Sequence, residues 1–519
     1  MMRPFDSPET PPSADRAATV TALPENGQVA APGVESKAPP AQQRRGRLAS
    51  AAAVLRYHWL AVLLLAAGLV LRVLAQFAYR PALFLDAVRY LYNAYGNDPV
   101  GYEGPLRAIL FVGNLNAVVV VQHLLGLTMG LVIYLLLLRR GAGRWLAALA
   151  MAPVLLDAYQ LQDEQTIMPG TFFQLMIVTG IAVMLWQPKP GWTRTIIAGA
   201  AFGTSAIIAQ VGESLLLPAL VYVLVVAGGG WRRTLGRAGV LCVAFAVPIV
   251  AYCTGSYLIT GDFFLSHTGV TSVYGRMASA VDCATIKLPA DERAMCPTLA
   301  QQVRGPDWLQ YGEGSPIRPY YDNLPRDRVN NLIADFNHQV LTQQPQRVLG
   351  RYTDDVVKLY ALTREQMPGD TPISRWQFQT TFPYHPPHAT APVVRQVVDR
   401  FGGGQPAVWT PVASFLRAYQ LHGGFTPGPL LLLFTLTSLA GTVIALLRRR
   451  APPQVRELGQ ACLLFFLSAA AITLVADLFE FSWRYQLPAL VTLVPAGALG
   501  IAAILRWVRG PRSARTSTS

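Results

Sequence analysis

The chain has 519 residues, of which 52% are hydrophobic and only 14% are charged. Soluble domains usually carry about 25% charged residues, so this composition excludes an ordinary soluble protein and predicts a membrane protein. The formal net charge of +14 does not indicate nucleic-acid binding, because the basic residues cluster beside apolar segments, as membrane topology requires.

The N-terminal part of the chain predicts a tail and seven membrane helices. Residues 1–50 are rich in Pro, Ala, Ser and Thr and are predicted to be a disordered cytoplasmic tail. A transmembrane module follows over 51–258, and its first helix, over 57–77, is long enough to cross a bilayer. The next six helices are predicted at 114–138, 142–157, 169–187, 193–210, 213–229 and 235–258.

The C-terminal module over 427–507 predicts three further helices, at 427–447, 457–478 and 486–507, before a cytoplasmic tail over 508–519. The fold class is therefore an all-α polytopic membrane protein with about ten transmembrane helices, seven plus three. Every second short connection is basic, and the intervening ones are acidic. Because positive residues stay inside, both termini of this multi-pass protein are predicted to be cytoplasmic. The high Ala, Gly and Arg content is typical of a GC-rich bacterial source, so the membrane is predicted to be a bacterial plasma membrane.

Two large segments then face outward. The first is the outer loop over 79–113, and the second is an extracytoplasmic domain over 259–426, between the seventh and eighth helices. Helical periodicity over Arg326–Val340 and Gln346–Leu362 predicts a mostly helical domain. Cys283 and Cys296 lie in it and can pair if it faces an oxidising compartment.

Ionisable residues at the outer ends of the predicted spans are the candidates for chemistry, since such groups are costly to desolvate without a partner or a function. An acid can take a proton from an acceptor hydroxyl while an arginine orients a lipid phosphate. The alternative is that these acids only keep the outer loops soluble. His123 either relays a proton or bonds a neighbouring helix. The outer acids and their candidate counter-charges are Asp86, Asp157, Asp163, Glu164, Glu213, Asp477, Glu480, Arg89 and Arg484.

Four short strings carry a resemblance to a known family. Phe84-Leu-Asp86-Ala-Val-Arg-Tyr90, followed by Asp98-Pro-Val-Gly-Tyr102, resembles the first outer loop of GT-C glycosyltransferases. Leu155-Leu-Asp157 through Met168 is similar to the third-to-fourth helix connection of actinobacterial, phospholipid-carrier-dependent members. Gln122-His123-Leu-Leu-Gly126 and Trp483-Arg484-Tyr485-Gln-Leu-Pro488 match a second and a late helix of the family. The seven-plus-three layout resembles protein O-mannosyltransferases and aminoarabinose transferases.

The resemblance implies a hexosyl- or pentosyltransferase that moves a sugar from a polyprenyl-phosphate donor to an acceptor protein, glycan or lipid at the outer membrane surface. It implies that Asp86 is the general base and that Glu164 is a second catalytic acid. The resemblance implies no certain cofactor, and it leaves open whether a divalent metal ion is bound. The residues implied in substrate binding are Arg89, Tyr90, Tyr102, Asp157, Asp163, Glu213, Arg484 and Tyr485.

One departure bears on the site. Many relatives carry an acid just after the Met of the second outer loop, where this chain reads Met168-Pro-Gly170, so Asp163 or Glu164 would have to take its place. The alternative function is a transporter or flippase for a lipid-linked or anionic solute. Transporters tend to have helices broken by Gly or Pro at the membrane midplane, whereas the polar residues here lie at the outer ends of the spans.

Overall fold

The structure is a computed structural model that describes residues 53–81, 83, 86–92, 101–226, 230–386, 388–447 and 451–510. The predicted tail over 1–50, the basic residues 448–450, the last residues 511–519, and residues 84, 85 and 98–100 of the first outer loop lie outside the described part. Residues 53–57 are helical, and every contact described below lies within His58–Ser519.

Helices form nearly all regular structure in the described part of the chain, which contains two isolated β-bridges, Tyr79 with Val408 and His385 with Ala389. A 3-10 helix, Gln210–Leu215, directly precedes α9. The first ten α-helices are α1 (Trp59–Ala78), α2 (Ala87–Tyr92), α3 (Glu103–Val112), α4 (Leu115–Arg140), α5 (Arg144–Leu156), α6 (Ala158–Gln165), α7 (Gly170–Leu185), α8 (Trp192–Ile208), α9 (Leu216–Val226) and α10 (Trp231–Thr260).

The outer segment contains short helices and one 3-10 helix, Ile373–Trp376. Its α-helices are α11 (Gly269–Ala280), α12 (Ala290–Arg293), α13 (Leu299–Gln302), α14 (Gly305–Tyr311), α15 (Arg318–Asn323), α16 (Arg326–Gln343), α17 (Pro345–Lys358), α18 (Ala391–Phe401) and α19 (Thr410–Leu421). Three long helices complete the chain: α20 (Gly428–Leu447), α21 (Pro453–Phe479) and α22 (Pro488–Arg509).

The predicted fold class is confirmed: the protein is an all-α polytopic membrane protein. Five helices are long and apolar enough to cross a membrane by length and composition, namely α1, α4, α10, α21 and α22. Shorter helices lie at the other predicted spans, and α5, α7 and α9 among them are apolar. The periodic segment Arg326–Val340 is helical as part of α16, and Gln346–Leu362 is helical as α17 up to Lys358, after which the chain turns.

Local chemistry fixes where α4 begins and ends. The side chain of Asn114 accepts hydrogen bonds from the backbone N–H groups of Asn116 and Ala117, at 3.0 and 3.3 Å, which caps the first turn. Gly141 ends the helix with a φ of 92°, a left-handed conformation that a residue with a side chain adopts at a cost. These caps place Gln122 and His123 at a defined height, two turns into the helix.

Glycines allow the C-terminal helices to approach closely. A Cβ at Gly500 would lie 2.1 Å from the carbonyl oxygen of Thr437, and one at Gly441 would lie 2.5 Å from the Cα of Gly500. Small residues let helix backbones pack together in membranes, where van der Waals contact drives association. α22 is thereby held against α20, and the turn just before α22 carries the Trp483–Gln486 segment that enters the site.

The outer segment has its own apolar cluster, which includes Tyr274, Ile333 and Phe336 and packs beside a disulfide between Cys283 and Cys296. Arg276, almost completely buried, joins this segment to the membrane helices. Its guanidinium pairs with Asp355 and also donates to the backbone carbonyls of Asp477 and Leu478, which end α21. The boundaries 259 and 426 of the outer domain stay a prediction.

Candidate functional site

A short polar helix, α6, connects α5 to α7 and carries two of the predicted site residues, Asp163 and Glu164. All eight residues of α6 are buried although most of them are polar, including Gln160, Asp163 and Glu164. Asp157 starts the helix by accepting a hydrogen bond from the backbone N–H of Tyr159 at 3.0 Å. Buried polar groups are costly unless they are bonded, so the partners of each side chain indicate what it does.

Glu164 is fully bonded on the inner side of α6. Arg72 donates from Nε to Oε2 at 2.8 Å and from a terminal nitrogen to Oε1 at 2.7 Å. Nδ1 of His123 lies 3.0 Å from Oε2, and Gln160 donates to Oε1 at 3.3 Å. Because both oxygens already have two partners, this geometry does not support the predicted catalytic role of Glu164. The catalytic role of Asp86 stays a prediction.

Asp163, the preceding residue, is buried but incompletely bonded. Its Oδ2 atom has no hydrogen-bond partner among the described residues. The pKa of Asp163 is raised to about 6, mainly because its carboxyl is buried. Arg484 opposes this rise and the nearby Glu164 adds to it. Gly170 makes room for this carboxylate, since a Cβ there would lie 2.2 Å from Oδ2. A side chain at position 170 therefore cannot coexist with the Asp163 carboxylate in its present position.

Arg484 faces this carboxylate from the loop before α22. Its guanidinium carbon lies 4.8 Å from the ring centroid of Trp376 and 5.0 Å from that of Tyr485. It is also within electrostatic reach of Asp163, Asp86, Tyr90 and Tyr485. It forms no ion pair within 4.0 Å with any residue in the part of the chain that the structure describes. These five residues, Asp86, Tyr90, Asp163, Arg484 and Tyr485, are called the Arg484 cluster below.

Asp86 reaches the cluster from the first outer loop, just before α2. Its side chain is 43% exposed, and one oxygen lies 3.9 Å from a terminal nitrogen of Arg89. Arg89 also donates to the hydroxyl of Tyr90 at 3.1 Å. Asp86 is therefore open to solvent and to a substrate, in contrast to Asp163 and Glu164.

Tyr102 links the first outer loop to α6. It is fully buried, its ring meets that of Tyr90 edge-on with centroids 5.4 Å apart, and its hydroxyl donates to Oε1 of Gln122 at 2.8 Å. Gln122 in turn donates to the backbone carbonyls of Glu164 and Thr166, at 2.8 and 2.7 Å. The hydroxyl of Tyr102 is thus used in holding two outer loops together.

Glu480 and the outer segment border the cluster. The pKa of Glu480 is raised to about 8, mainly because its carboxyl is buried. Asp307 adds to this rise, whereas Arg484 and a hydrogen bond from Tyr485 oppose it. A terminal nitrogen of Arg375 lies 3.4 Å from Oδ2 of Asp307, and the charge of Arg375 also lowers the pKa of Glu480. The cluster therefore meets residues from the first outer loop, α6, the loop before α22 and the outer segment.

Two predicted substrate-binding residues lie elsewhere. Asp157 is bonded to Arg364 at 2.9 Å and to the backbone N–H of Thr426 at 2.7 Å, so its carboxylate serves the fold. Glu213 is exposed in the 3-10 helix before α9, and it acts electrostatically on Cys253 of α10. Neither residue is among those that surround Arg484.

Sequence reasoning missed three residues of this region: Arg72, Trp376 and Glu103. Arg72 had a clear signal, because a charge in the middle of a span is rarely tolerated without a partner. Glu103 is buried, with an unbonded Oε1, and burial raises its pKa to about 7 while Arg107 and Arg89 lower it. Trp376 had no signal, since its position depends on how the outer segment folds back.

His123 bonds Glu164 and Gln165, as expected of a histidine that joins two helices.

A metal ion needs several ligands that converge. In the described ranges, no group of three or more His, Cys, Asp or Glu side chains could hold a metal ion. The guanidinium of Arg484 is the group in the Arg484 cluster that can bind an anion.

No protein-family model matches the chain, and no curated protein matches it either. Among solved structures, the archaeal oligosaccharyltransferase AglB from Archaeoglobus fulgidus, in complex with an inhibitory peptide and a dolichol-phosphate, is similar over 87% of this chain and 51% of that chain. The identity is 12% and the TM-score is 0.39. By the 51% coverage, this chain spans about half the length of that structure. A similarity of this size transfers no residue, substrate or partner.

Proposed function

We propose that this protein is an integral membrane glycosyltransferase that moves a hexosyl or pentosyl group from a polyprenyl-phosphate donor to an acceptor at the extracytoplasmic surface. One observation carries the proposal: Arg484 lies over the rings of Trp376 and Tyr485, is within electrostatic reach of the carboxylates of Asp86, Asp163 and Glu480, and forms an ion pair within 4.0 Å with none of these three. An arginine held in this way can bind a phosphate with two parallel hydrogen bonds. The sequence resemblance to GT-C glycosyltransferases supports the same reaction.

In the proposed reaction Asp86 is the general base. Its carboxylate accepts the proton of an acceptor hydroxyl as the acceptor oxygen attacks the anomeric carbon. The bond from that carbon to the phosphate oxygen breaks, and the polyprenyl phosphate leaves with the electron pair, so the anomeric configuration inverts. Arg484, with Arg89 close to Asp86, stabilises the charge that develops on the leaving phosphate.

Asp163 has a different part in the proposal. Its unbonded oxygen is buried beside Arg484, where a sugar hydroxyl can donate a hydrogen bond to it. A buried acceptor without a partner costs free energy until a ligand satisfies it. A sugar is therefore favoured at this position over an apolar group.

The embedding of the chain agrees with a lipid donor. The cluster lies where outer loops meet helices that are long enough to cross a bilayer. A polyprenyl tail can stay in the membrane while its phosphate reaches Arg484, and no soluble carrier is needed.

The test uses the full chain in nanodiscs with two probes, decaprenyl phosphate carrying tritiated mannose and decaprenyl phosphate carrying tritiated arabinose, and bacterial envelope extract as acceptor. Asp86→Asn should lower the rate of transfer by about 10²- to 10⁴-fold, as expected on loss of a general base. Arg484→Met should weaken donor binding about tenfold or more, as expected on loss of hydrogen bonds to a charged group.

The matched control is Asp322→Asn, the same substitution in an exposed ion pair with Arg318 on the outer segment. It should leave transfer unchanged. Retention of transfer by Asp86→Asn to within about threefold of wild type would exclude Asp86 as the base. Movement of an intact labelled lipid across the bilayer, with no transferred sugar for either protein, would favour the transporter or flippase alternative.

A further inference from the structure

Arg72 is a buried arginine in the first membrane span, and its hydrogen bonding is complete. Two of its N–H groups bond Glu164. The other three donate to backbone carbonyls, those of Gly68 at 3.1 Å, Leu155 at 2.9 Å and Val154 at 3.2 Å. A guanidinium has five N–H donors, so each one is used. The carbonyls of Val154 and Leu155 belong to the last turn of α5, where a helix leaves its carbonyls without partners.

The surrounding chain is shaped to admit this pair. A Cβ at Gly126 of α4 would lie 2.1 Å from Oε1 of Glu164 and 2.7 Å from a terminal nitrogen of Arg72. His123, one turn earlier on the same face of α4, bonds Glu164 through Nδ1 and Gln165 through Nε2. The inner side of α6 is therefore bonded to α1 and α4, and through Arg72 to the end of α5.

This arrangement fixes the rotation of α6 about its own axis. Successive residues of a helix point about 100° apart, so anchoring Glu164 on the inner side determines where Asp163 points. Gln160, one turn before Glu164, accepts a hydrogen bond from Gln174 of α7 at 2.9 Å. α7 is therefore bonded to α6 as well, in addition to α1 and α4. The outer side of α6 carries Asp163 against Gly170, facing Arg484.

We propose that Arg72 and Glu164, with His123, are positioning residues that hold the Asp163 carboxylate opposite Arg484, and that they take no part in the chemistry themselves. This inference rests on the proposed function for its kinetic consequence, whereas the orientation of α6 can be tested without it. The buried Arg72–Glu164 pair is thus assigned to the geometry of the polar site next to it.

The first measurement is kinetic, with the tritiated decaprenyl-phosphate probes named above. Glu164→Gln keeps the shape of the side chain but leaves the buried charge of Arg72 unpaired. It should lower kcat by about tenfold or more, since small displacements of a site residue are costly. The donor KM should rise less than it does in Arg484→Met, because Arg484, the proposed phosphate-binding residue, is untouched.

The double variant Arg72→Met with Glu164→Met separates positioning from stability. Replacing a buried ion pair with apolar side chains of similar volume leaves no unpaired charge and is often neutral for folding. We expect thermal stability to return to near the wild-type value while kcat stays low. Recovery of both would overturn the proposal, because it would show that the pair serves the fold alone.

Leu155→Ala is the matched control. The Leu155 side chain packs against Gly68 and Gly130 in the same contact of α1, α4 and α5, and its carbonyl bond to Arg72 is kept. This variant should lose stability through a cavity and yet keep the wild-type kcat. An equal loss of kcat at equal loss of stability would contradict the inference.

Hydrogen–deuterium exchange over 158–165 gives a readout that needs no activity. Amide exchange should be faster in Glu164→Gln and in the double variant, and unchanged in Leu155→Ala, since local opening is governed by the bonds of the segment itself. If wild-type protein transfers neither sugar, the proposed function fails, and the exchange pattern still decides whether this pair holds α6. Exchange that is unchanged in all three variants would overturn the positioning role.

Discussion

At the scale of single residues, two neighbouring acids have opposite fates. Glu164 has four hydrogen-bonding contacts, whereas Asp163 keeps one buried oxygen without a partner. Their sequence context is the same, and only the side of α6 on which each lies distinguishes them. Gly170 lies against Asp163, and the Asp163 carboxylate fills the space that a side chain at position 170 would occupy.

Gly170→Ala should displace Asp163 while the protein still folds. The new Cβ would lie 2.2 Å from Oδ2 of Asp163, and this flexible end of the side chain can move aside. We expect donor turnover to fall by about tenfold or more, because the carboxylate leaves its position opposite Arg484. Transfer kinetics with the tritiated probes measure the effect.

Gly239→Ala serves as the control for that substitution. Gly239 lies in α10, where an added Cβ meets nothing within 4 Å. It should leave turnover unchanged and raise stability slightly, by about 0.5–1 kcal/mol, as alanine restricts the unfolded chain. Equal turnover for Gly170→Ala and Gly239→Ala would show that the position of Asp163 does not matter.

At the scale of elements, α6 depends on Asp157, the cap residue just before it, more than on the helix propensity of its own eight residues. Eight residues are too few for a stable isolated helix, and most of these are polar. Asp157 caps the helix, pairs with Arg364 and accepts from the backbone N–H of Thr426. The guanidinium carbon of Arg364 in turn lies 4.4 Å from the ring centroid of Tyr159, so one carboxylate joins α6 to the outer segment and to the chain before α20.

Asp157→Ala should destabilise the protein strongly, by about 3–5 kcal/mol, because Arg364 is left as a buried unpaired charge. Asp157→Asn should cost less, since asparagine also caps helices. Adding Arg364→Met to Asp157→Ala should restore part of the loss. Thermal unfolding in one detergent compares the three variants, and equal midpoints for Asp157→Ala and the double variant would contradict this account.

At the scale of the whole molecule, an outer segment with its own core is fastened to the membrane helices by charged contacts. Arg276 binds Asp355 and the last carbonyls of α21, while Lys358 pairs with both Asp355 and Asp370. The polar loop that follows α21 carries Glu480 and Arg484. Protonation at this junction therefore bears on the stability of the whole chain.

Stability should fall as pH rises from about 5 to about 8. Burial raises the pKa of Glu480 from 4.5 to about 8. In this window the folded protein keeps a proton that the unfolded chain releases, so unfolding becomes more favourable with increasing pH. Glu480→Gln, which resembles the protonated acid, should flatten this dependence in thermal unfolding at several pH values. Asp322→Asn should keep the wild-type slope, and parallel slopes for wild type and Glu480→Gln would argue against a raised pKa.

Composition and hydrophobic periodicity by themselves determined the helical membrane fold and the place of its spans, because a bilayer demands long apolar helices whatever their neighbours. The same patterns marked Asp86, Asp163 and Arg484 as candidates, since charges beside a membrane need a reason to be there. Only the tertiary structure decided that Glu164 is bonded inward by Arg72 and that Asp157 is a cap with an ion pair. These outcomes depend on which residues from distant parts of the chain meet, so that two adjacent carboxylates on different sides of one short helix differ in their bonding.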